Sequence, residues 1–414
     1  MTLANRRVLY ISYNGMLDPL GKSQVIPYLK ELSRAGVNFT LLSYEGPKAF
    51  TREGRERCEG LRSELAGSQI DWHFLRYHKR PSLPATAYDV LSGIRYASRL
   101  VRRKQIEMVH ARSHIPATIA LALKRRFGLK MIFDLRGLMA EEYVDANHWN
   151  EGSLPYRLIK SMESRALQSS DGIVTLTEKI WPAIKGWKGL RGREVIHEVV
   201  PCCSDLDLFR FSQSERDRVR AELNLQDRFV VVYSGSIGGW YLTDKTADFF
   251  STLLKRRPNG HFLWLTGVDR SIIEKLMSDR GVNSSQFTVR SVSPSQVPGY
   301  LSASDAGIAF YRPTFSRMAT SPVKVSEYLA VGLPVIINEG VGDSDTFVES
   351  QELGAVVTNF DEGQYERALV TIENLLAGDV HARARAAAKS FFDVRGLGLQ
   401  RYSRLYERVL NLPN

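Results

Sequence analysis

The chain has 414 residues, 43% of them hydrophobic and 24% charged, with a formal net charge of +11. That length exceeds one ordinary core and implies two or three domains of about 100–200 residues, and the composition excludes a disordered or fibrous chain. All of the excess charge lies in the first half: residues 1–205 hold 32 Lys/Arg against 21 Asp/Glu, whereas 206–414 hold 24 of each.

No window approaches the roughly 18 apolar residues of a spanning helix. Met1 to Arg7 lead into a strand without an apolar signal region, so a cytoplasmic location is the expectation. Cys58, Cys202 and Cys203 are odd in number and read as small, partly buried residues. The basic half suits nucleic acid or an anionic membrane surface. There is no basic stripe interleaved with stacking aromatics and no zinc-finger or helix-turn-helix signature. No nucleic-acid partner is therefore expected, and a peripheral position at an anionic membrane is preferred.

In chain order, Val8 to Ser12 is an apolar strand, followed by a glycine-containing loop, a helix from about Ser23 to Ala35 stopped by Gly36, and a strand from Phe39 to Tyr44. This opens a doubly wound α/β sheet. The loop Tyr13-Asn-Gly-Met-Leu-Asp-Pro-Leu-Gly-Lys-Ser23 approximates a phosphate-binding P-loop, which makes a nucleotidase one alternative. Its glycines, Gly15 and Gly21, are however separated by five residues where the motif needs four, and Pro19 removes an N–H from the cradle. The preferred reading places Gly21, Lys22, Ser23 and Gln24 as ligand contacts at the carboxyl end of the first strand, where open α/β sheets bind ligands.

Further strands are expected near Trp72–Tyr77, Met108–Ala111, Met131–Leu135, Ile173–Leu176 and Val195–Val200, alternating with helices. The helix over residues 86–105 mixes Tyr88, Leu91 and Ile94 with Arg95, Arg99, Arg102, Arg103 and Lys104. It reads either as a core helix with a solvated basic rim or as a membrane-surface helix. His110 and Arg112 follow one strand, and Asp134 and Arg136 the next; polar groups at strand ends are positioned by the rigid sheet.

No His-Glu-x-x-His pattern occurs among the eight histidines, and the Asp-x-Asp triplet Asp205-Leu-Asp207 lies in an expected linker. No metal site is therefore expected. A second βα series begins at Phe229 and carries Ser234-Gly-Ser-Ile-Gly-Gly-Trp240, whose glycines let backbone approach a diphosphate. It does not match Gly-x-Gly-x-x-Gly, which argues against a dehydrogenase. Strands at Phe262–Leu265, Phe287–Val289 and Ala306–Phe310 follow.

Residues 321 to 334, Ser-Pro-Val-Lys-Val-Ser-Glu-Tyr-Leu-Ala-Val-Gly-Leu-Pro, read as a helix opened by Pro322 and stopped by Gly332, then a buried strand. Uncapped N–H groups at such a start suit a phosphate. Lys324 and Glu327 share a face, where an ammonium meets a phosphate and a carboxylate accepts from hydroxyls; a plain surface pair is the alternative. An amphipathic helix closes the chain from Arg395 to Leu412.

Pro322-x-Lys324-x-x-Glu327-Tyr-Leu-Ala-x-Gly332-Leu-Pro-Val335 resembles the nucleotide-sugar-binding segment of retaining glycosyltransferases of family 4, of the bacterial polysaccharide-synthesis type. The resemblance implies the GT-B fold: two Rossmann-like doubly wound parallel-sheet domains facing across a cleft. The acceptor-side domain would span 1–203, with helix 395–414 packing back on it, and the nucleotide-sugar-binding domain 204–394. It implies transfer of a hexosyl or related group from a nucleotide-diphosphate sugar to the hydroxyl of a glycan or lipid-linked acceptor, with retention and without a metal or other cofactor.

Under the resemblance Glu327 binds ribose, while Gly21, Ser234, Gly235, Ser236, Gly238, Gly239, Ser321, Pro322 and Lys324 bind the donor. Lys22, Ser23, His110 and Arg112 lie on the acceptor side; Arg136 stabilises the departing diphosphate and Asp134 orients the acceptor hydroxyl, the two acting catalytically with Lys324 and Glu327. The chain departs from the family pattern at Ala319, where Glu-x7-Glu would have its first Glu, and at Ser236, where a loop Arg would fall. These departures keep a non-catalytic GT-B-like binding module open as an alternative.

Overall fold

The computed structural model describes residues 3–78 and 80–413; Met1, Thr2, Lys79 and Asn414, which fall within the expected domain ranges, lie outside them. Two compact units are present. The first comprises the chain up to Pro201 together with the stretch from Val394, and the second is Cys202–Asp393.

The first unit is built on seven strands: β1 (Arg7–Ser12), β2 (Asn38–Glu45), β3 (Ile70–Arg76), β4 (Met108–Arg112), β5 (Lys130–Asp134), β6 (Gly172–Thr175) and β7 (Ile196–Val199). Their order is β3-β2-β1-β4-β5-β6-β7, and every pairing is parallel. Helices on both faces bury all of β4 and all of β1 but Arg7, which is why Val8 to Ile11 read as a continuous apolar run. Strand order reverses between β1 and β4, where Ser12 lies in register with Arg112. This is the topological switch point, the position at which a doubly wound sheet opens a crevice at its carboxyl edge.

The helix expected from Ser23 is two helices, Pro19–Gln24 and Ile26–Arg34. Val25 leaves helical geometry between them, because Pro27 disfavours a continuous ladder. At the other end of the chain, the helix Leu399–Leu410 buries Tyr402, Leu405, Tyr406 and Val409. Val409 and Leu405 sit so close to Gly172 on β6 that a Cβ there would lie 2.7 and 3.0 Å from them.

The second unit holds β8 (Phe229–Ser234), β9 (Gly260–Leu265), β10 (Phe287–Arg290), β11 (Ala306–Ala309), β12 (Val335–Asn338) and β13 (Gly354–Val357) in the order β10-β9-β8-β11-β12-β13, again all parallel. Its switch point lies between β8 and β11. The edge strand β13 is an addition to the sequence reading, which stopped at β12. Among the described residues no helix is long and apolar enough to cross a membrane.

The helix Val323–Val331 is set on this sheet by Tyr328, whose fully buried ring lies directly over Gly307 of β11. A Cβ at Gly307 would approach that ring to 2.3 Å. Gly307→Ala is therefore expected to lower stability by about 1–3 kcal/mol through overpacking and to shift the helix start. Urea denaturation of the variant checks this, and an unchanged midpoint would refute the packing argument.

Candidate functional site

At the switch point of the second unit several elements converge. Pro322 caps the helix Val323–Val331 and Gly332, at φ +90°, ends it. The Tyr328 hydroxyl accepts the Ser234 N–H at 2.8 Å, tying the end of β8 to this helix. Ser326 pairs with Ser204 at 2.6 Å, and the Ser321 hydroxyl accepts the Cys202 N–H at 3.0 Å. Ser321 and Pro322 thus shape the loop: one hydroxyl is already engaged, and the proline has no N–H to offer.

Lys324 is 6% exposed, and its Nζ has no hydrogen-bond acceptor among the described residues. The amine sits 4.0 Å above the ring of Tyr233, 4.1 Å from that of Tyr241 and 5.6 Å from that of Tyr311. Faces of aromatic rings attract a cation, but they replace none of the hydrogen bonds the ammonium had in water. Burial accordingly pulls the Lys324 amine down to about 7, against the attraction of Glu327. Burial also pushes the partly exposed Glu327 up to about 7, against the attraction of Lys324.

Gly235, at φ +127°, lies beside the amine, and a Cβ there would be 3.2 Å from Nζ. Its own N–H donates to Leu265 at 2.9 Å and that of Gly238 to Thr243 at 2.9 Å. The N–H groups of Ser236, Ile237, Gly239 and Trp240 donate to no acceptor among the described residues. Ser236, Gly238 and Gly239 are exposed, and the Arg317 guanidinium lies 4.5 Å over the Trp240 ring. A desolvated amine, free amides and a helix start together form a receptor for an oxyanion. The sequence reading named Lys324 and the glycines but missed Tyr233, Tyr241 and Tyr311, because no spacing reveals that rings from separate elements meet on one amine.

In the first unit the expected residues divide differently. Gly21 is buried inside the helix Pro19–Gln24, and a Cβ on it would strike the Gly15 carbonyl at 2.2 Å. Its lack of a side chain serves that close approach, which corrects the expected donor contact. The P-loop alternative also loses its cradle, since Glu45 takes the N–H groups of Met16 at 2.6 Å and Leu17 at 3.4 Å. Lys22 is exposed, and the Ser23 hydroxyl donates to Pro19 at 2.8 Å.

Asp134 is 0% exposed. Its Oδ2 accepts from the Tyr402 hydroxyl at 3.0 Å and faces His110 Nε2 at 3.4 Å, while Arg136 lies 3.8 Å from Oδ1. His110 is closed in by Tyr10, Tyr402 and Tyr406, with Nδ1 2.7 Å from the Tyr406 hydroxyl. Burial works to raise the Asp134 carboxyl, but Arg136, His110 and Arg112 hold it below its ordinary range. Burial pulls the His110 imidazole down. Neither group presents a face to an acceptor, so the expected direct contacts of Asp134 and His110 are corrected to a buried support beneath Arg136. Arg136 also reaches Gln24 at 3.4 Å, and Arg112 reaches Asn14 at 3.4 Å.

Residues 27–203 match the family model of the glycosyl transferase 4-like domain, and 312–375 that of the glucosyltransferase 3-like C-terminal domain. These matches support a family 4-type glycosyltransferase. Among relatives it is 26% identical over 186 residues to the putative teichuronic acid biosynthesis glycosyltransferase TuaH of Bacillus subtilis (strain 168). That match covers 44% of this chain and 43% of the relative, less than half its length. Sucrose-phosphate synthase from Thermosynechococcus elongatus superposes with a TM-score of 0.72 at 16% identity, covering 98% of this chain and 99% of that one. Anabaena Alr3699/HepE in complex with UDP-glucose gives 0.69 at 13% identity, covering 98% and 100%. These likenesses show the GT-B fold.

The Lys324 and Glu327 shifts set opposite pH dependences. Between about pH 7 and the usual lysine range near 10.4, the unfolded chain binds more protons than the folded one, so stability rises with pH. Glu327 acts the other way between its usual range near 4.3 and pH 7, where stability falls as pH rises. Lys324→Met removes the upper limb. The variant is expected to melt at a higher temperature than the parent at pH 7, with the gap narrowing toward pH 10; a gap independent of pH would refute the burial assignment.

Proposed function

We propose that the protein transfers a sugar from a nucleotide-diphosphate sugar to an acceptor hydroxyl, in polysaccharide or glycolipid synthesis, with the donor held by the second unit. The observation that carries this reading is the buried Lys324 amine, which lacks any acceptor and lies beside free amides at a sheet switch point. The diphosphate supplies the missing acceptors, with the start of the helix Val323–Val331 and the Ser236–Trp240 amides sharing its charge. Glu327, one turn further on, accepts from ribose hydroxyls.

Charge grows on the diphosphate as the glycosidic bond breaks, so a fixed ammonium and amides favour the transition state over the ground state. Transfer with retention, a hexosyl or related group, and charge stabilisation by these groups without a metal are parts of the proposal. The UDP-glucose complex of the Anabaena protein supports a nucleotide-sugar ligand, and the teichuronic acid assignment of the Bacillus relative supports a polysaccharide acceptor.

An anionic membrane surface is the proposed place of action. The helix Ser82–Lys104 exposes Tyr88 at 61% and Leu91 at 67% beside exposed Arg95 and Arg99, and the basic half of the chain contains it. Replacing both arginines by Glu is expected to weaken vesicle binding about tenfold or more at low salt, at about 1 kcal/mol for each charge. Sedimentation with anionic vesicles checks this; parental binding by the double variant rejects the surface.

A thermal-shift screen of UDP-, GDP-, TDP- and ADP-sugars tests the donor, since a ligand of the folded state raises its stability. One base is expected to stabilise the chain. Lys324→Met and Glu327→Gln should each weaken that ligand by about tenfold to a hundredfold, the worth of a charged hydrogen bond. Parental affinity in both variants would end the donor assignment.

A further inference from the structure

The switch point of the first unit carries a second buried cation that makes no ion pair among the described residues. Arg112, the last residue of β4, is 6% exposed. Of its guanidinium donors one makes a long contact, 3.4 Å to Asn14 Oδ1, and Nε has no partner among the described residues. No carboxylate among the described residues pairs with it; the nearby Asp134 is engaged by Tyr402, His110 and Arg136. A buried charge left in this condition is costly and calls for an external partner.

Independent features of the backbone point to the same place. The helix His114–Phe127 starts two residues after Arg112, and its N-cap Ser113 makes no capping bond with its side chain. Pro116 brings no N–H to the first turn, and Ala117 bonds back to Ser113 at 3.1 Å. The His114 and Ile115 amides are therefore left to an outside acceptor. Ser113 stands at φ +74°, and Arg136, at the end of the neighbouring strand, at φ +55°. Strained non-glycine residues of this kind gather at ligand sites. The loop after β1 is not a competitor for the same anion, since Glu45 already fills its amides.

We propose that Arg112 and the start of the helix His114–Phe127 bind an oxyanion carried by the acceptor, a phosphate or a uronate carboxylate, so that the acceptor is an anionic glycan or glycan-phosphate. Assigning the anion to the acceptor rests on the transferase reading; the anion site itself does not. The planar guanidinium presents paired N–H groups that match either oxyanion, and the helix dipole favours negative charge there.

The test uses the full chain with Lys324→Met in place, so that the second unit does not take up the probes. Inorganic phosphate and glucuronate are titrated by calorimetry and thermal shift. One or both should bind, and adding Arg112→Gln should weaken the response about tenfold or more, with Arg112→Lys in between because it keeps charge but loses the fork. Phosphate alone marks a phosphate-bearing acceptor, and glucuronate alone a uronate.

Nucleotide-sugar affinity, measured with Arg112→Gln in the otherwise parental chain, should stay within about twofold. Unchanged anion binding in both Arg112 variants overturns the proposal, as does loss of nucleotide-sugar binding with anion binding intact. Should Arg112→Gln fail to fold, Arg112→Lys alone decides by the same comparison. Absence of nucleotide-sugar binding in the parent would instead strike the transferase reading and leave the anion site standing.

Discussion

A lysine amine that has left water without gaining an acceptor is the constraint on which the second unit turns. Cation–π contact returns about 2 kcal/mol or more for a desolvated ammonium, against a loss of hydration of several kcal/mol. The position therefore persists only because the surroundings over-determine it. Tyr328 fixes the helix over Gly307 and holds the Ser234 amide, β8 supplies Tyr233, the chain after β11 supplies Tyr311, and Gly235 leaves room for Nζ. Each device has a packing reason of its own, and together they keep the amine where an anion would complete its coordination.

In the first unit carboxylates do what a diphosphate is proposed to do in the second. Glu45 occupies the amides of the loop after β1, with Ser43 adding a hydroxyl at 2.7 Å, and burial raises its pKa. Asp134 is shared among Tyr402, His110 and Arg136. These groups make the loop and the end of β5 rigid, and they leave the end of β4 as the position with spare donors. The closing helix takes part in this arrangement, since Tyr402 and Tyr406 belong to it.

The alternation of strands and helices was readable because central parallel strands are apolar on both faces, and twelve strands were placed from that signal. The thirteenth, Gly354–Val357, was not, since Gly-Ala-Val-Val is too short and mild to stand out from its surroundings. Lys324 and Glu327 were legible through a helix start of defined type. What escaped was burial by distant partners. Asp134 and His110 lie at strand ends, as ligand contacts do, yet their partners stand 268 and 296 residues further along the chain. Periodicity within a segment carries no trace of such a lid. The tyrosine cage escaped for the same reason, as did the replacement of a phosphate by Glu45 in a loop that imitates a P-loop.

The absence of a carboxylate at Ala319 gains a different meaning against this geometry. Ala319 is buried, and the same short helical turn carries Arg317, whose guanidinium lies over Trp240. A Glu at 319 would add a second buried acid to a unit in which burial already raises the Glu327 carboxyl. With Ala there, that turn contributes no carboxylate. Under the proposed reading, contact with the donor therefore falls to the desolvated Lys324 amine and the single carboxylate of Glu327, where the family pattern has a pair of carboxylates.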